Sequence, residues 1–459
     1  MAVDDELTEQ GRSRRAALKS AAGVAVAAAA GVFLLEPAQF MIGKSRKKVR
    51  YWHELGGEWL KPMESILESF NRSQDTYEMD PLLISDSEAD SKMMLSTVGG
   101  EPPDVVLIWT QATSEWADSG LLHPLDSFMT PAEMAWFKTR TYPVVRKSGW
   151  FKGNLYGLVM GFDLFVCFYR PDHFRQAGLD PDKFPETLEE LVEVGDHLHK
   201  FNASGDITRM GFLPSHFDRF AALFGGGFYN ENTGALTLNT PENLRALNFL
   251  ADCRKRFGPD GFKKVIRFES GLSSDDGASW PFIQGNYSIL VDGEWRVEQL
   301  HRYKPDLEYR TIPVPPPKGG KKRASFAMTN FLVMPKGARC PDGAWEFIRF
   351  WTGLRNPAAA AQFYPLLGWM PLSPDVTHAP QYQAWLNEVP QYRSFLDVAE
   401  SDNIRITPPV PFQLYLMDQV QRTDDYVSRG TLTPEKALVR LEHDVAHELE
   451  RRRRLGYAD

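Results

Sequence analysis

Five consecutive large apolar residues, Val105-Val106-Leu107-Ile108-Trp109, stand between Asp104 and the more polar stretch Thr110 to Ser114. A run this short, without polar alternation, fits a strand buried on both faces, as in a parallel sheet. A strand covered on both sides needs helical layers, and the chain supplies them. Val49-Arg50-Tyr51-Trp52 reads as a strand and His53 to Gly57 as a turn, after which Trp59, Met63, Ile66, Leu67 and Phe70 fall on one helix face. Thr187-Leu188-Glu189-Glu190 is a capping-box pattern for a helix that buries Leu188, Leu191, Val192 and Leu198. Thr240-Pro241 opens another, with threonine as cap and proline in the first turn, leading into Leu244, Leu247 and Leu250. Further strands are expected at Leu164 to Tyr169, Ser288 to Val291 and Phe331 to Met334. Strand and helix alternate, so the fold class is α/β.

At 459 residues the chain exceeds the usual size of one core, and two lobes are expected. The prolines of Pro313 to Pro317 and the basic Lys318 to Lys322 read as a linker or surface loop where the chain changes lobes. The net charge of −8 argues against nucleic acid as a partner. The basic runs Lys44 to Arg50 and Arg451 to Arg454 read as solvated termini. Three cysteines, Cys167, Cys253 and Cys340, are too few for a disulfide framework, although one bridge stays open.

Residues 1–45 form a separate unit. Ser13-Arg14-Arg15-Ala16-Ala17-Leu18-Lys19 resembles a twin-arginine export signal, with Ala17 where that pattern prefers phenylalanine, and implies the twin-arginine export machinery as a partner. The apolar stretch Ala21 to Leu35 would span about 22 Å as a helix, short of the ~30 Å hydrocarbon core. A cleaved signal and an uncleaved membrane anchor both remain open, and the mature protein is expected in the periplasm or outside the cell.

Enzyme motifs are weak. His443 and His447 lie four apart, but Asp444 replaces the glutamate of a zinc-protease helix. Asp275-Asp276-Gly277 lacks the alternating ligands of a calcium loop, and Gly225-Gly226-Gly227 lacks the lysine of a phosphate loop. All three read as surface helix or turns, and no cofactor, metal or catalytic set is expected.

In serial order the chain resembles the family 1 extracellular solute-binding proteins. The resemblance is carried by Tyr51-Trp52-His53 with Phe70-Asn71, by Pro103-Asp104-Val105-Val106 with Ala117 to Leu122 and Pro124-Leu125-Asp126, and by Tyr156-Gly157-Leu158 with Phe168-Tyr169-Arg170 and Pro185 to Leu191. Gly225 to Tyr229, Phe282 to Gly285, Asp292 to Trp295 and Ala344 to Ile348 complete it. Arg170 and Leu188 depart from the family's usual asparagine and tryptophan. The resemblance implies a two-lobed periplasmic-binding-protein type II fold with discontinuous lobes and a three-strand hinge. The crossovers are expected near Val159 to Asp163, Arg310 to Pro315 and Thr352 to Asn356. Lobe I would hold residues 46–160 and 313–354, and lobe II residues 161–312 and 355–459.

Ligands of open α/β sheets sit beyond the carboxyl ends of the strands, and a sugar wants flat rings beside hydroxyl-binding groups. That selects His53, Glu54, Trp109, Thr110, Gln111, Asp163, Tyr229, Asp292, Glu294 and Trp295, and the resemblance of Gly368-Trp369-Met370-Pro371 to a late family loop bordering the cleft implies Trp369 as a further ring. Trp295 either presents its ring to ligand or packs in the core, and Asp292 either binds or caps its turn. The expected activity is capture of a sugar-like ligand by a monomer that serves ABC transporter permease subunits. A tethered ligand sensor and an extracellular carbohydrate-active enzyme are the alternatives.

Overall fold

The computed structural model describes residues 46–272 and 277–456, and for 86–90 and 109–111 the backbone alone. The export segment at 1–45 and the Asp275-Asp276 turn lie outside the described residues. Two sheets organise the rest. The larger contains β1 (Lys47–His53), β2 (Tyr77–Leu83), β3 (Val105–Trp109), β4 (Gly157–Asp163), β8 (Ser325–Val333) and β9 (Ile404–Ile406). The smaller has β5 (Phe165–Tyr169) between β6 (Ile289–Gly293) and β7 (Arg310–Pro313).

In β3 Val105 to Ile108 are buried, as their composition requires, but the strand's surroundings are mixed. It runs parallel to β1 (Tyr51 opposite Val105) and antiparallel to β8 (Val333 opposite Val106). The expected parallel setting therefore holds on one side only. Strand β8 also starts six residues before the expected Phe331, because Ser325 to Ala327 pair with β9 and the remainder pairs with β3 and β4. Asp104, directly before β3, is buried and accepts the backbone N–H of Arg50 and of Cys340, both at 2.8 Å, so it staples β1 to a distant turn.

Helices fill both layers. In α1 (Leu60–Ser73) the buried side chains are Met63, Ile66, Leu67 and Phe70, the face expected from their spacing. Helix α2 (Thr110–Asp118) follows β3 directly. Thr187 caps α3 (Leu188–Leu198) by accepting the Glu190 N–H at 3.3 Å. The reciprocal arm of the capping box is displaced: Glu190 accepts from Glu186 N, one residue before the cap. Thr240 caps α5 (Pro241–Lys255) as expected. The remaining helices used below are α4 (Phe217–Leu223), α6 (Trp295–Tyr303), α7 (Pro341–Thr352), α8 (Gln413–Ser428) and α9 (Pro434–Arg454).

The basic runs are not simply solvated. Arg50 is half-buried in β1 and donates to Pro102 O, and Arg452 is half-buried and donates to Pro411 O and Glu448. Their guanidinium groups are paired with carbonyl and carboxylate oxygens. His443 and His447 are exposed on α9. Cys167, Cys253 and Cys340 are all free.

Two apolar cores result, and β5 belongs to both. Phe165, Cys167 and Tyr169 join one, with α3, α4, α5, α8 and α9. Val166 and Phe168 point the other way, into the core that also contains the large sheet, α1 and α7. Only Leu164 separates β4 in the large sheet from β5 in the small one, and the segment 314–324 separates β7 from β8.

Candidate ligand cleft

At the junction of the two sheets two acidic side chains are buried side by side. Asp163 ends β4, and Glu294 directly precedes α6, 5% and 0% exposed respectively. Glu294 Oε2 accepts the Leu164 N–H at 3.0 Å, which brings its carboxyl group beside that of Asp163, close enough for the two to interact directly. Burial lifts both above the ordinary carboxylate range, Asp163 to about 6 and Glu294 well above it, with the charge of Asp163 as a second cause for Glu294.

Trp295, the next residue, is half-buried and meets Phe165 edge-to-face, centroids 6.1 Å apart. Its ring lies so close over Gly293 that a Cβ there would sit 1.8 Å from the indole. Only glycine permits this ring position. Over the Phe165 ring also lies Arg219 of α4, its Cζ 3.6 Å from the ring centroid and its Nε without a hydrogen-bond partner. Asp292 on β6 accepts from Gly293 N (2.8 Å) and pairs with Arg296 (3.0 Å), which is the turn-capping reading of this residue.

Arg219 lines a cavity of about 590 Å³ together with His216, Asp218, Met328, Leu414, Met417, Asp418, Gln421 and Asp424. Met328 lies opposite Asp163 in the β8–β4 register, which sets the cavity beside the carboxyl pair. His216 has φ +70, a conformation that costs a non-glycine residue, and burial lowers its imidazole to about 3, so it is neutral. Asp218 and Asp424 are raised by burial, and Asp424 is oriented by Phe217 N (3.2 Å) and Ser428 Oγ (2.9 Å). The wall thus carries three carboxyl groups against one arginine.

Asp163, Asp292, Glu294 and Trp295 therefore come together. Tyr229 does not join them: it lines a second cavity, about 370 Å³, with Gly225 to Gly227, Glu231 and Arg405. His53 is 2% exposed, stacked on Tyr51 at 5.2 Å, and its imidazole is lowered to about 4 by burial. Glu54 is half-buried next to it. Trp369 is 5% exposed and stacks on Trp59 at 5.8 Å. Trp109, Thr110 and Gln111 stand at the β3–α2 junction, and their side chains lie outside the described residues. Arg219, Asp218, Met417 and Asp424 were not expected, since α4 and α8 carry no motif in these positions.

Residues 65–389 match the bacterial extracellular solute-binding protein family. The chain belongs to that family. This solute-binding protein is 21% identical to the maltotriose-binding protein of Pyrococcus abyssi, over 73% of this chain and 68% of that one. It is 22% identical to the sn-glycerol-3-phosphate-binding periplasmic protein UgpB of Salmonella typhimurium, over 85% and 90%. Among solved structures it resembles CpMnBP1 with mannotriose bound, with a TM-score of 0.75 and 25% identity over 87% of this chain and 99% of that one. It also resembles the sugar-binding protein MalE of Xanthomonas citri, with a TM-score of 0.71 and 22% identity over 90% and 100%. The two-lobed periplasmic-binding-protein fold expected from the sequence is the fold of this solute-binding protein.

Proposed function

We propose that the protein captures a neutral sugar or oligosaccharide between its two lobes, outside the cytoplasm, and delivers it to the permease of an ABC importer. The observation that carries this reading is the cavity beside Asp163 and Glu294. Its carboxyl groups suit hydroxyl donors, its single Arg219 is set against three acids, and Met328, Leu414 and Met417 supply apolar surface for C–H faces. A phosphate ester would meet net repulsion there. Export through the twin-arginine route by residues 1–45, lobe limits of 46–160 with 313–354 and 161–312 with 355–459, and a monomeric state belong to the same reading.

Binding without catalysis is favoured by the carboxyl pair itself. Glycosidase carboxyls stand about 5 to 9.5 Å apart with the scissile bond between them, whereas Asp163 and Glu294 are both buried and interact with each other directly, which leaves no room for a sugar ring between them. Thermal-shift titration with maltotriose, mannotriose and sn-glycerol 3-phosphate tests the proposal. A neutral oligosaccharide at 100 times its Kd should stabilise the protein by about 2.7 kcal/mol. A shift with glycerol phosphate and none with any neutral sugar would reverse the assignment.

A further inference from the structure

The contact between Asp163 and Glu294 has an unusual feature: each acid keeps one buried oxygen without a donor, Oδ1 on Asp163 and Oε1 on Glu294. The other Glu294 oxygen is occupied by Leu164 N–H. Two ionised carboxylates in contact would repel with little solvent to screen them, whereas one proton between the orphan oxygens satisfies both. Resting on the cleft reading above, we infer that Glu294 is a positioning residue: as a neutral acid it donates from Oε1 to Asp163 Oδ1 while accepting from Leu164 N, and so ties the foot of α6 to the crossover strand β4.

The surrounding groups assign the proton to Glu294. Asp163 faces Arg219 of α4 and Asn330 of β8, both of which favour its charged form. Glu294 is helped by backbone groups at Leu164 and at its own position, but its side-chain partner is another acid. Tyr382 and Tyr392, from the segment 380–392, lie close enough to sense Glu294. Asp292, on the strand leading to Glu294, is paired with Arg296. Held this way, Glu294 places Trp295 against Phe165 and keeps the Asp163 carboxylate fixed at the cavity.

The test is Glu294→Gln, whose amide can still donate to Asp163 and accept from Leu164 but cannot titrate. In the unfolded chain Glu294 ionises near pH 4.5, whereas in the folded protein it keeps its proton, so the wild type loses stability as pH rises through that point and the variant does not. Melting of both ligand-free proteins from about pH 4 to about pH 9 should show the variant gaining on the wild type progressively above about pH 4.5. A difference that is constant with pH, or a variant that falls further behind as pH rises, overturns the inference. If the variant does not fold, wild-type protein labelled at the glutamate Cδ carbons decides the matter: one carbon should keep its protonated shift at neutral pH, and none doing so refutes it.

Calorimetry with maltotriose or mannotriose then reads the positioning role. Glu294→Gln should bind within about threefold of wild type and Glu294→Ala at least about tenfold more weakly. Equal loss in both variants overturns positioning. Failure of the wild type to bind either sugar sinks the sugar reading instead and leaves the melting profiles to decide the proton.

Discussion

At the scale of single residues, the cleft shows what a sequence reader can and cannot see. Asp163, Asp292, Glu294 and Trp295 were accessible because each sits at a strand end, where backbone direction alone brings side chains to the sheet junction. Arg219, Met417 and Asp424 were not, because they lie inside α4 and α8 and face the cavity only through packing on β5 and β8. Tyr229 was placed with the first group on strand order, yet it lines the cavity at Arg405, whose guanidinium donates to Gly225 O (3.2 Å) and Gly226 O (2.9 Å). Trp295→Ala separates the two roles of that ring. Loss of its contact with Phe165 should cost about 2 to 3 kcal/mol, below the range for a fully buried tryptophan. The ligand-induced melting shift should also vanish, whereas a retained shift would make Trp295 a packing residue only.

Among the elements, caps and apolar periodicity were legible. The buried faces of α1 and α5 and the threonines at 187 and 240 follow from residue type and spacing. What spacing could not convey was pairing: β8 joins three other strands of its sheet, and its first three residues have a different neighbour from its last four. The loop at Gly225 to Leu238 is a second case. It is held by Asn243, fully buried on α5, whose side chain accepts from Gly227 N (2.9 Å) and donates to Gly227 O, Thr237 O and Leu238 O. Gly226 is required here because a Cβ would lie 2.2 Å from Asn243 Oδ1. Asn243→Ala should leave buried backbone groups unpaired and lower stability by about 2 to 3 kcal/mol, measurable by urea unfolding, with hydrogen exchange rising first in this loop.

For the molecule as a whole, segments far apart in sequence are tied by more than apolar packing. Glu58, just beyond β1, accepts from Gln299 (2.7 Å) and Tyr303 (2.8 Å) of α6, and Lys147 donates to Glu231 (2.9 Å) and to Ile404 O (2.7 Å). Strand β5 is the more consequential link, since its odd-numbered residues serve one core and its even-numbered residues the other. Neither core can melt without exposing one face of that strand to water and stripping it of half its neighbours. Heating should therefore produce one calorimetric peak whose van't Hoff and calorimetric enthalpies agree, not the two steps that independent cores would give. The consequence is one of durability: a protease waiting for one core to come apart alone would find no such state, because the strand that both cores cover ties their fates together.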